Sequence, residues 1–248
     1  MADAETEREA LLAAIANVAD RLAAEREYLT DLDSAIGDAD HGTNMDRGFE
    51  AALEQAESTD GDAAAIVKTV GTALVSAVGG ASGPLYGGSI MSASAELEEG
   101  IAPETTVAFA EAYLEKVQDR GDAQVGAKTM VDALVPAVHT YKRSIEVDDL
   151  PPVEALRKAA DAAERGVAFT VPLRAKKGRA SYLGWRSVGH RDPGATSTLL
   201  IVEELLATAE EFLDEVDGGS DATAPTEPDI GADDAETENG DAVGEEGE

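Results

Sequence analysis

Residues 67–84 read "VKTVGTALVSAVGGASGP". Val67, Val70, Leu74 and Val78 fall at steps of three, four and four, the period of one helix face and not the alternation of a strand. The run ends in a glycine-lined turn, after which Ser82 and Pro84 have the chemistry of a new helix start. The rest of the chain repeats this pattern. Leu11, Ile15, Val18 and Leu22 recur at four, three and four, and Leu199, Val202, Leu206 and Leu213 follow one face with a single gap. Strand-like alternation is nearly absent. The periodicity predicts an all-α fold of eight helices, at about 3–35, 43–58, 62–78, 83–98, 104–119, 128–145, 151–170 and 194–216. Mostly short connections make sequence neighbours antiparallel in a bundle. The connection from 171 to 193 is the long exception, and long ordered loops tend to carry function.

Charge sets the next bounds. The 248 residues carry 51 acids against 19 Lys and Arg, a net charge of −32. Twelve of those acids lie in residues 217–248, which hold no Lys, Arg or aromatic residue, so residues 1–216 carry −20. The last stretch has too little apolar surface to offset its ordering entropy, and an acidic disordered tail is expected there after a helical domain over 1–216. So acidic a body fits adaptation to high salt, where repulsion is screened. It excludes nucleic acid as the main partner, because phosphate contacts need a basic face. The lack of cysteine excludes thiolate catalysis, disulfides and zinc–thiolate sites. With no signal peptide and no apolar run of 18 residues, a soluble cytoplasmic protein without membrane association is expected.

Three glycine-containing loops precede helices: "DADHGTN" (38–44), "VGGASGP" (78–84) and "HRDPGATS" (190–197). Thr43 with Asp46 makes a start like a capping box, and Asp192 can cap with Pro193 first in the helix. These are ordinary helix starts, or their free N–H groups cradle an anion such as phosphate. In an up-and-down bundle all three open at one end, which favours phosphate. None matches the P-loop pattern.

Acids crowd the first of these loops. Leu29, Leu32 and Ile36 carry the first helix past Asp33, and Gly37 fits the left-handed residue that ends it. Asp33 then lies in the last turn, where the helix dipole disfavours negative charge, with Asp38 and Asp40 directly after. Three carboxylates there repel one another unless a cation sits among them, and hard oxygen ligands imply magnesium, calcium or manganese. An EF-hand is excluded: counting from Asp38, position six is Thr43 where glycine is required, and position twelve is Phe49 where glutamate is required. Magnesium completed by phosphate oxygens fits better, although Asp38 or Asp40 alone could simply cap the next helix. Asp31, two residues from Asp33, points elsewhere on a helix.

Between Gly166 and Arg191 there is no acid, yet Arg174, Lys176, Lys177, Arg179, Arg186 and Arg191 lie there. They face a phosphate- or carboxylate-rich partner, or pair with the chain's own excess acid. His190 is a ligand contact or a turn cap. Trp185 is an exposed contact or a packing anchor. His139, inside a helix, reads as structural. The residues by themselves lead to a helical protein binding a magnesium nucleotide.

The motifs "YLTDLDSAIGDADHGTNMDRGF", "VGGASGPLYGG", "GAKTMVDAL" and "KGRASYLGWRSVGHRDPGATS", in this order across about residues 8–216, resemble the L subunit of dihydroxyacetone kinase. The resemblance implies an antiparallel eight-helix barrel with ADP or ATP and two magnesium ions at one end. It implies Asp33, Asp38 and Asp40 as magnesium ligands, and His41, Gly42, Thr43 and Asn44 along the nucleotide. Ala81 and Ser82 would contact phosphate, Gly121 and Met130 would line the adenine pocket, and Arg179 would neutralise phosphate charge. Asp192, Pro193 and Gly194 would close the far side. Trp185 stands where the family pattern implies glutamate. The implied partners are a dihydroxyacetone-binding K subunit and a phosphohistidine M subunit of the phosphotransferase system, in the form whose K and L subunits are separate chains. The implied reaction is phosphoryl transfer to dihydroxyacetone. A nucleotide-loaded sensor that binds a transcription regulator is the alternative.

Overall fold

A computed structural model describes residues 4–216, and the acidic stretch 217–248 with its expected tail lies outside the described residues. The described residues are helical and contain no strand, as the periodicity predicts. The helices are α1 (Ala4–Ala24), α2 (Arg26–Ile36), α3 (His41–Glu57), α4 (Ala63–Ala77), α5 (Gly88–Ala93), α6 (Pro103–Gly121), α7 (Val131–Glu146), α8 (Pro152–Thr170) and α9 (Pro193–Val216). None is long and apolar enough to cross a membrane.

Packing follows chain order. α1 packs on α3, α3 on α4, α4 on α5, α5 on α6, α6 on α7, α7 on α8, α8 on α9, and α9 returns to α1. The ring has eight members, with α2 as an extension of α1 that rests on α3 and α9. Leu22, Leu29, Met45, Ile66, Leu74, Val117 and Val131 are among its fully buried side chains. The interior retains a cavity of about 450 Å³ lined almost wholly by apolar side chains, among them Leu11, Phe49, Ile90, Phe109, Tyr113 and Ile201.

Two predicted helices are interrupted. The first breaks at Glu25, whose φ of −94° and ψ of 9° leave the helical region. The second, expected at 83–98, is a π-helical turn at Gly83–Gly87, then α5, then a 3-10 turn at Ser94–Leu97. Its glycines serve close packing. A Cβ on Gly87 would lie 2.5 Å from the carbonyl oxygen of Gly71, and one on Gly71 would lie 2.5 Å from the nitrogen of Met91. The backbones of α4 and this segment therefore touch where no side chain fits.

A third departure is at the start of α7. The helix expected from 128 begins at Val131, because residues 126–129 fold back on Asp132. The carboxylate of Asp132, 1% exposed, accepts the N–H groups of Gly126 and Thr129, the latter at 2.9 Å. Farther along α7, Pro136 has no N–H for the carbonyl of Asp132. α8 packs against that spot through Gly166, where a Cβ would lie 2.2 Å from the Asp132 oxygen.

Candidate functional site

The three glycine loops converge as the bundle reading requires. His41 opens α3, and its Nε2 lies 2.9 Å from Oγ of Ser197 on α9. Tyr86, in the π-helical turn, donates from its hydroxyl to the Gly194 carbonyl at 3.0 Å and lies 2.9 Å from the same Ser197 hydroxyl. Gly79 lies against Asn44: a Cβ there would be 3.2 Å from Oδ1 of Asn44. The starts of α3 and α9 and the turn between α4 and α5 therefore form one hydrogen-bonded end of the barrel.

The acids meet at this end. One carboxylate oxygen from each of Asp33, Asp38 and Asp40 lies within 4.8 Å of the others. Asp33, on the last turn of α2, is buried at 8% exposure, while Asp38, Asp40 and the more distant Asp31 are exposed. Two expectations here are corrected. Gly37 is not left-handed, since its φ is −134°. The left-handed residue is Ala39, at φ 61°. Glycine is needed at 37 for space, because a Cβ would lie 1.9 Å from Oδ1 of Asp33. Nor does Thr43 start a capping box. It is exposed within the first turn of α3, which opens two residues earlier without a cap from Asp40. The capping acceptor comes from farther back: Oδ2 of Asp33 accepts the N–H groups of Asp40 at 2.9 Å and His41 at 3.2 Å. Asp33 thus joins the C-terminus of α2 to the N-terminus of α3, whose positive dipole end offsets part of the crowding.

The basic segment closes over this cluster. It contains a 3-10 stretch, Arg179–Ser187, broken at Gly184, whose φ of 57° favours glycine. Nε of Arg179 lies 2.6 Å from Oδ2 of Asp38. Lys177 pairs with Asp122 at 2.6 Å, just beyond the end of α6. Trp185 is 76% exposed, with the Arg174 guanidinium 5.4 Å from its ring centroid, so it is a surface group and not a packing anchor. His190 is exposed and contributes its backbone carbonyl; His139 is exposed on α7.

The remaining candidates border the same end. Gly42 is buried, and only glycine fits there because a Cβ would lie 2.1 Å from the carbonyl oxygen of Arg26. Asn44 is buried and accepts from Arg47 at 2.8 Å. Ala81 is exposed, and half-buried Ser82 makes no capping bond. Gly121 ends α6 beside Leu85, and buried Met130 packs beside Gly194. Asp192 caps α9 as predicted, accepting from the Ala195 N–H at 2.7 Å, with Pro193 as first helical residue.

Electrostatics follow burial. Desolvation lowers the pKa of His41, with the charges of Asp33 and Asp40 opposing the shift. Burial pushes Asp192 from its ordinary 3.8 up to about 7, the Ala195 N–H and Lys128 opposing. Desolvation also raises Tyr86 to about 12, so its hydroxyl remains a donor. Sequence reasoning missed Tyr86, Lys128, Asp132 and Ser197, the buried polar groups that tie the helix ends. Motif position was the available signal, since all four lie inside quoted motifs, but most of their partners are distant in the chain.

Residues 35–207 match the family model described as the DAK2 domain. The chain is 43% identical over 195 residues, 77% of its own length and 92% of the relative's, to the ADP-binding subunit DhaL of PEP-dependent dihydroxyacetone kinase from Escherichia coli. It is 43% identical over 182 residues, 73% of its length and 87% of the relative's, to the ADP-binding subunit DhaL of PTS-dependent dihydroxyacetone kinase from Lactococcus lactis. The fold also matches the crystal structure of the dihydroxyacetone kinase from C. freundii in complex with AMP-PNP and Mg2+, with a TM-score of 0.62 at 23% identity. That match covers 80% of this chain and spans about a third (33%) of the other. On both the family model and these relatives, the chain belongs to the DAK2 domain family, among the proteins similar to the L subunits of dihydroxyacetone kinase.

Proposed function

We propose that this chain is the nucleotide-binding subunit of a dihydroxyacetone kinase. It holds ADP or ATP with two magnesium ions at the closed end of the barrel. There it relays a phosphoryl group from a phosphohistidine M subunit to dihydroxyacetone on a separate K subunit, in the cytoplasm of a salt-adapted cell. One observation carries this reading: three carboxylates within 4.8 Å of one another stand where three helix starts converge, under an arginine. The donor set fits a hard divalent cation, because each member offers a carboxylate oxygen.

Asp33, Asp38 and Asp40 would hold magnesium, which offsets phosphate charge when bound. Asp33 is suited to orient such a ligand set, since its second role as the cap of α3 fixes its side chain. The N–H groups around Ala81 and Ser82 would receive phosphate oxygens. Exposed Thr43, His41 bonded to Ser197, and Asn44 beside the glycine turn would lie along the nucleotide. Gly121 and Met130 would face the base, and Asp192, Pro193 and Gly194 would bound the far side. Arg179 would turn its guanidinium to the transferring phosphoryl group, whose loose transition state needs charge neutralisation more than covalent chemistry.

Mass spectrometry of the ligand extracted from natively purified protein, followed by a transfer assay with K and M partners, tests the reading. ADP in the extract and partner-dependent dihydroxyacetone phosphate are expected. Protein that neither carries nor binds a magnesium nucleotide would overturn it. Within that assay, Asp38→Ala is expected to abolish tight ADP retention while far-UV circular dichroism stays that of the parent. Retained ADP would sink the metal assignment.

A further inference from the structure

Lys128 lies in the GAKTMVDAL motif and has no role in the proposed nucleotide site. It is 1% exposed and stands at a left-handed φ of 61°. A buried ammonium and a left-handed backbone are both unfavourable, so its surroundings must compensate for them. They do so at two points far apart in sequence. Nζ donates to the carbonyl of Thr170 at 2.7 Å and also to the carbonyl of His190.

Those two carbonyls flank the basic segment. Thr170 is the last residue of α8, and His190 lies just before Asp192, the cap of α9. Two more bonds close the same neck: the Gly189 N–H to the Val171 carbonyl at 2.8 Å, and the Asp192 N–H to Oγ1 of Thr170 at 3.0 Å. One limb of the segment is then anchored beside the lysine, where the Lys176 N–H donates to the Ala127 carbonyl at 3.0 Å. Arg179 follows three residues later and reaches Asp38. An ammonium suits this position because it carries several donors on a flexible stem and can meet carbonyls arriving from two strands of chain. Nearby Asp132 and Asp192 help to keep it charged against the cost of burial.

We propose that Lys128 is a positioning residue: its ammonium clasps the two ends of the segment 171–191 and so holds Arg179 above Asp38. The inference rests on the reading of Arg179 as a phosphate ligand, but its structural half stands apart from that reading. Trp185, the chain's single tryptophan, lies inside the clasped segment and reports on it directly.

The test uses the full chain with Lys128→Met, Arg179→Ala, the double variant and Lys128→Gln. It reads far-UV circular dichroism, Trp185 fluorescence anisotropy and affinity for magnesium ADP. Lys128→Met is expected to keep its helicity and to lower the anisotropy. It should weaken magnesium ADP about tenfold to a hundredfold, the scale of a lost charge-assisted hydrogen bond. The double variant is expected to bind within about twofold of Arg179→Ala alone, because both losses pass through one segment. Unchanged anisotropy, or losses that simply multiply, would overturn the clasp. If Lys128→Met does not fold, Lys128→Gln decides, since its amide keeps a buried donor but is uncharged and one bond too short to meet both carbonyls. Lowered anisotropy in that variant supports the clasp and parental anisotropy refutes it. A parent chain that fails to bind magnesium ADP sinks the nucleotide reading, while the anisotropy comparison still decides the clasp.

Discussion

Asp192 shows what burial does to a residue whose sequence role is plain. Its place before Pro193 marks it as a helix cap, and it is one. Its pKa of about 7 comes from tertiary enclosure, with Asp132 and Asp33 adding to the shift and Lys128 opposing it. From its ordinary 3.8 to about 7, the folded chain keeps a proton that the unfolded chain has released. Its contribution to stability is therefore full below the unfolded value and is lost as pH rises through about 7. Buried His41 titrates with the opposite slope, so the comparison must be between variants. Denaturant midpoints from pH 4 to 8, without added nucleotide, are expected to fall more steeply for the parent than for Asp192→Asn. The asparagine keeps an oxygen for the Ala195 N–H but has nothing to titrate; equal slopes would contradict the shift. Among the candidate site residues, the acid triplet was legible from local crowding, while composition marked Arg179 only as one of six cations and the family resemblance singled it out. The cap supplied by Asp33 was not legible, because it spans two helices whose relative placement no spacing gives.

At the scale of the element, helices were legible and their breaks were not. Periodicity carries one line from Leu11 through Leu22 and on to Leu29 and Ile36, yet Glu25 divides it. The π-helical turn before α5 likewise follows from glycine backbones pressed against α4, a contact that no property of residues 83–98 alone predicts. The contact of α7 with α8 shows the same logic. Small residues Ala133 and Ala137 on one helix meet Ala155, Ala159 and Ala163 on the other. Pro136 leaves the Asp132 carbonyl without its helical donor, and Gly166 lets α8 approach it. Gly166→Ala must push the helices apart, and a loss of about 1–3 kcal/mol is expected from such overpacking. Chemical denaturation measures it. A neutral result would mean that the α7–α8 contact yields freely.

At the scale of the molecule, closure of the ring decides what the site can be. α9 packs on α1, so the starts of α3 and α9 and the turn before α5 are brought to one rim. Residues 1–216 carry a net charge of −20, and self-repulsion in such a body is screened by salt. Raising sodium chloride from 0.1 M to 2 M is expected to raise the melting temperature by several degrees, about the shift of 1 kcal/mol or more. A scanning calorimetry series checks this, and a flat series would count against salt adaptation. Deletion of residues 217–248 is expected to leave phosphoryl transfer unchanged in the three-subunit assay, and a large loss would show that those residues take part.

The sequence by itself determined the helical class, the positions of most helices, the acid triplet and the basic segment. Each of these is written in neighbours a few residues apart, through a helical period or a local run of charge. Only the tertiary structure decided that Asp33 caps a second helix, that Arg179 stands over Asp38, and that Lys128 joins the two ends of the segment carrying that arginine. Those contacts join residues far apart along the chain. They exist because buried carbonyls, N–H groups and charges must find partners, and only closure of the barrel says which partners are within reach.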